Sequence, residues 1–135
     1  MGSTATALVG FAAWFVLLSF VLAVYRSALV LGGRKPANTF STDGSDLEPL
    51  GHRLTRARDN CFESLPAFAA IALGASIAGR LDVTDPLALW LLALRLAQST
   101  THVISTSVPA VLLRANLFFA QMFIYGWWAI QLLRS

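Results

Sequence analysis

Charge is what this chain has least of. Asp, Glu, Lys and Arg make up 13% of its 135 residues, against about 25% in an ordinary soluble domain. A soluble fold this small needs a largely polar surface, because small domains bury a low fraction of their area. The scarcity of charge excludes a typical soluble enzyme, and it excludes disorder, which requires high charge and low hydrophobicity. A single cysteine, Cys61, excludes an intrachain disulfide, and no zinc-ligand spacing surrounds it. The sequence has no His/Cys/Asp cluster, no Ser-His-Asp arrangement and no phosphate loop, so no metal is expected. The net charge is +3, yet Lys and Arg form no basic arm, which argues against nucleic acid as a partner. Internal repeats and low-complexity segments are absent as well.

What the chain has instead is apolar surface. Hydrophobic residues make up 56% of it and the mean hydropathy is +0.65. Those values point to an integral, multi-pass membrane protein whose first partner is the lipid bilayer. The first apolar stretch runs from about Ala5 to Leu31, and at roughly 25 residues it exceeds the roughly 20 that cross a hydrocarbon core. It lacks a charged leading region and is too long for a signal peptide, so it reads as a retained span. Gly32-Gly33 and then Pro36 end it, and a polar loop follows over about 32–50. Further helices are expected over about 51–79, 86–105 and 109–133, with Asp85-Pro86 as the start of the third. The predicted fold is all-α, a left-handed up-down-up-down bundle of four transmembrane helices in a single domain. Basic residues gather around the long loop as Arg34, Lys35, Arg53, Arg56 and Arg58. The positive-inside rule then places that loop in the cytoplasm and both termini outside.

A charge at membrane depth costs about 2.5–3.5 kcal/mol on insertion scales, so each one needs a reason. Arg56, Asn60 and Glu63 lie at i, i+4 and i+7 and share one face of the second helix. They form either a hydrogen-bond network that joins helices or a polar ligand site. Arg95, Gln98 and His102 repeat the pattern at i, i+3 and i+7 on the third helix. Glu63 and Arg95 are natural partners there, since each would otherwise be an unpaired charge in low dielectric. Taken alone, His102 reads as an interface residue, and Cys61 as a small packing residue. The aromatic run Phe118, Phe119, Phe123, Tyr125, Trp127 and Trp128 reads as lipid-facing surface with an interfacial belt. Ala70, Gly74 and Ala78 form a small-residue row that lets another helix approach closely.

The segment RLTRARDNCFESLPAF, Arg53 to Phe68, resembles the signature of the MAPEG family, membrane-associated proteins in eicosanoid and glutathione metabolism. The matching residues are Arg56-Ala57, Asn60, Glu63, Pro66 and Phe68, and the preceding NTFSTDG loop is similar to the bacterial branch. The resemblance implies a homotrimer of four-helix protomers in a bacterial inner membrane. It implies glutathione as co-substrate, bound between protomers near the cytoplasmic face, and an apolar small-molecule substrate. By this resemblance Arg56, Asn60, Glu63 and Arg95 bind glutathione, and Arg26 is contributed by a neighbouring protomer; Gln98 and His102, on the polar face of Arg95, are expected to join them. Arg114 matches an arginine that stabilises the thiolate. Where glutathione-using members commonly carry a tyrosine, seven residues after the third-helix arginine, this chain has His102. The activity implied is a membrane glutathione transferase or peroxidase. The alternative is a non-catalytic trimer that uses its polar stripes only for helix packing.

Overall fold

The computed structural model describes residues 1–134. It has four helices: α1 (Ser3–Leu31), α2 (Pro49–Ile77), α3 (Leu81–Ile104) and α4 (Val108–Leu133). The shortest, α3, has 24 residues. At about 1.5 Å per residue that is roughly 36 Å, enough to cross a hydrocarbon core of about 30 Å. All four are long and apolar enough to span a membrane. The protein is an integral, multi-pass membrane protein.

α1 ends where the sequence places the stop. The Arg34 N–H donates to the Leu29 carbonyl at 2.9 Å and the Gly33 N–H to that of Val30 at 3.1 Å. This closure needs a left-handed residue, which Gly33 supplies with φ +70. α3, by contrast, begins at Leu81 rather than at Asp85-Pro86. Pro86 sits inside the helix near its start, where its missing N–H costs one bond. Asp85 is drawn to α1 instead: its carboxylate accepts from the Thr4 N–H at 2.9 Å and from the Thr4 hydroxyl. The linker between α2 and α3 thereby shrinks to 78–80.

Consecutive helices run antiparallel. α2 and α3 hold the middle, α1 packs on both, and α4 packs on α3 and more lightly on α2. Among the described residues α1 and α4 do not meet. The core is aromatic. Phe68 of α2 meets Phe11 of α1 edge-on at 5.6 Å, and Tyr125 and Trp128 of α4 at 6.1 and 5.9 Å. Tyr125 and Trp128 are therefore core residues, which corrects their reading as lipid-facing surface. They follow Gln121 at i+4 and i+7 and so share its inward face. Phe119, Phe123 and Trp127 do face outward.

The burial pattern inverts that of a soluble bundle. Val16, Phe20, Trp90, Leu112 and Phe123 are exposed, while Arg95, Gln98, Ser99, His102 and Gln121 are buried. Lipid solvates the first group, and the second must find partners within the protein.

Candidate functional site

The two polar stripes meet unequally. On α3, Arg95, Gln98 and His102 all turn inward and are buried. On α2 the inward face is Ala57, Cys61, Ser64 and Phe68. Asn60 lies at its edge, half-buried, and Arg56 and Glu63 are exposed. Each helical step turns the side chain by about 100°, so Glu63 stands off the inward direction that Ser64 takes.

This decides what Arg95 bonds. Its Nη1 donates to Asn60 Oδ1 at 2.7 Å and its Nη2 to Ser64 Oγ at 2.7 Å. The guanidinium lies over the Phe11 ring at 5.2 Å. Among the described residues Glu63 forms no ion pair with it. The expected Glu63–Arg95 partnership is thus replaced by one between Arg95 and two neutral acceptors of α2, Asn60 and Ser64, three residues before and one residue after Glu63.

Gln98 extends the network. Its Nε2 donates to Asn60 Oδ1 at 3.4 Å, and its Oε1 accepts from Gln121 Nε2 of α4 at 2.7 Å. Gln121 Nε2 also donates to the Leu117 carbonyl at 3.0 Å. Gln121 is fully buried. The sequence reading missed it, although it is a carboxamide seven residues after Arg114, the spacing that singled out the stripes on α2 and α3. Ser64 and Ser99 were also missed, because small hydroxyls carry no periodic signal in a membrane helix. Ser99 Oγ lies 3.1 Å from Cys61 Sγ, which confirms that cysteine as a packed, bonded residue.

Between α2, α3 and α4 opens a cleft of about 370 Å³. Asn60, Glu63, Gln98, His102 and Arg114 form its polar wall, and Val111, Ala115, Phe118 and Phe119 its apolar one. Glu63 supplies one negative charge and Arg114 one positive charge. Arg114 lines this wall, and its buried Nε finds no acceptor among the described residues, which leaves an unsatisfied donor beside the cleft. Three sequence-predicted residues lie elsewhere. Arg95 is buried behind Asn60, and Arg56 stands exposed one turn before it. Arg26 lines a separate cleft on α1, over the Phe40 ring at 5.6 Å.

Four apolar spans with a polar cleft among them define a class: multi-pass helical membrane proteins that hold polar side chains between their spans. The MAPEG family model matches residues 4–134, nearly the whole chain, and this protein belongs to that family. No curated protein and no solved structure matches it.

Proposed function

We propose that this protein is a membrane glutathione-dependent transferase or peroxidase acting on apolar electrophiles or lipid hydroperoxides. The observation that carries this reading is the cleft itself, in which Glu63, Asn60 and Arg114 share one wall beside Phe118 and Phe119. Glutathione, as co-substrate, supplies a nucleophilic sulfur, and it carries two carboxylates and one amine. Glu63 holds the amine. The Asn60 carboxamide and Arg56, on the same α2 face, hold a carboxylate. Arg pairs with carboxylates in a planar, bidentate way that suits it to this task. Arg114 lowers the thiol's pKa by placing a cation beside the sulfur. Val111, Phe118 and Phe119 shape the side from which an apolar substrate enters from the lipid. Arg26 serves a neighbouring protomer's cleft in a homotrimer. The long loop and the cleft face the cytoplasm of a bacterial cell, and both termini lie outside the inner membrane.

The packing-only reading keeps one observation in its favour. Arg95, Gln98 and Gln121 are buried, with Arg95 bonded from α3 to α2 and Gln121 from α4 to Gln98 of α3, so those three stabilise the bundle whatever the cleft does. Thiolate formation separates the two. Purified protein in detergent, titrated with glutathione, should develop ultraviolet thiolate absorbance near neutral pH. Protein with Arg114→Ala should bind glutathione without it.

A further inference from the structure

We infer that Gln121 is a positioning residue: through Gln98 it fixes which end of the Asn60 carboxamide faces the cleft. The inference rests on the glutathione reading for its ligand, and on hydrogen-bond direction for its logic.

A carboxamide can turn either end to a neighbour, so its orientation must be dictated by groups that cannot reverse. Two such groups bracket this chain of bonds. The Leu117 carbonyl only accepts, so the Gln121 atom 3.0 Å from it is the nitrogen. That nitrogen also donates to Gln98, whose facing atom, at 2.7 Å, is therefore oxygen. Gln98 then presents its nitrogen to Asn60. At the other end Arg95 only donates, so the Asn60 atom 2.7 Å away is oxygen. Both ends agree on Asn60: oxygen inward, nitrogen outward.

The outward nitrogen has no partner among the described residues, and it is not among the sealed, unbonded atoms. It belongs to a residue that lines the cleft. The cleft therefore offers an N–H donor at Asn60 and reads an acceptor, a carboxylate or a peptide carbonyl of the ligand. Arg95 lies wholly behind this group. It acts on the ligand through Asn60, as Gln121 does from the opposite side.

Asn60→Asp tests this directly. The new side chain keeps the inward acceptor and gives buried Arg95 the carboxylate it lacks, so assembly and the unfolding midpoint should hold or rise. Outward it replaces a donor with an acceptor, so glutathione affinity by calorimetry should fall about tenfold or more. Gln121→Met should weaken glutathione binding by a few-fold in the otherwise native protein, and by nothing further in the Asn60→Asp background. Undiminished affinity in Asn60→Asp would overturn the inference, as would equal losses from Gln121→Met in both backgrounds. If the unsubstituted protein binds no glutathione at millimolar concentration, the functional reading fails instead. The orientation is then decided by stability alone, and a lowered midpoint for Asn60→Asp overturns it.

Discussion

Arg95 carries its charge with none of its surface exposed and with no carboxylate in ion-pairing reach among the described residues. Two neutral oxygens and the face of Phe11 hold it. Bonds from a charged donor contribute about 1.5–3 kcal/mol. Arg95→Met should therefore destabilise the fold by roughly that much, because it takes the donor from Ser64 Oγ and leaves Asn60 Oδ1 only the longer bond from Gln98. Glu63→Gln, at an exposed cleft position, should stay within about 0.5 kcal/mol. The double substitution should show the sum of the two, since the residues do not pair. Thermal unfolding in detergent reads all three, and recovery in the double substitution would restore the discarded ion pair. Sequence spacing found Arg95, Gln98 and His102 because period and polarity both mark them. It mispaired Arg95 because a helix face is only a range of directions. The choice between Glu63 and Ser64 depends on one step of rotation and on where α3 packs.

The loop between α1 and α2 behaves as a built element. Phe40 lies under both Arg26, at 5.6 Å, and Lys35, at 5.3 Å, and Lys35 bonds Asp46 at 2.9 Å. Asp46 in turn accepts from the Ser41 hydroxyl at 2.6 Å. At the tip, Gly44 has φ +73 and lies so close to Thr55 that a Cβ would meet its Oγ1 at 2.6 Å. Bonds from the Ser45 N–H and the Ser41 hydroxyl hold the Asp43 carboxyl down to about 2, from an ordinary 3.8. The Lys35 ammonium and Ser41 lower Asp46 as well. A depressed carboxylate stabilises the folded loop above its ordinary pKa and loses that contribution as pH falls through the lowered one. Protection of the Ser41 and Ser45 amides from hydrogen exchange should accordingly persist at pH 4 and fade as pH approaches 2. Loss already complete at pH 4 would show that these bonds do not order the loop. The sequence marked this segment as polar and turn-rich, but its order comes from pairs separated by up to fourteen residues, which periodicity does not reveal. The start of α3 escaped the sequence for a similar reason, since the bond that the Thr4 N–H of α1 donates to Asp85 outweighs the local turn preference of Asp-Pro.

At the scale of the whole molecule, the four spans were legible because hydropathy and length decide a membrane helix almost alone. The cleft was half legible: its residues carried a family signature, while its depth and the Gln121 contribution depend on how α4 packs on α3. Assembly is not written in one protomer, yet the outward row Ala70, Gly74 and Ala78 is exposed, and a Cβ at Gly74 meets nothing within 4 Å. If that row packs a second copy in a homotrimer, Gly74→Leu should shift detergent-solubilised protein toward monomer without unfolding it, as read by light scattering. A monomeric unsubstituted protein would remove the neighbouring protomer from the account, and Arg26 with it. The central claim, that the cleft binds and ionises glutathione, is met most directly by ultraviolet difference absorbance during a glutathione titration. The unsubstituted protein should show saturable thiolate absorbance near neutral pH, Glu63→Gln should require more glutathione to saturate, and Arg114→Ala should show none. No thiolate signal from folded, assembled, unsubstituted protein at millimolar glutathione would contradict the claim.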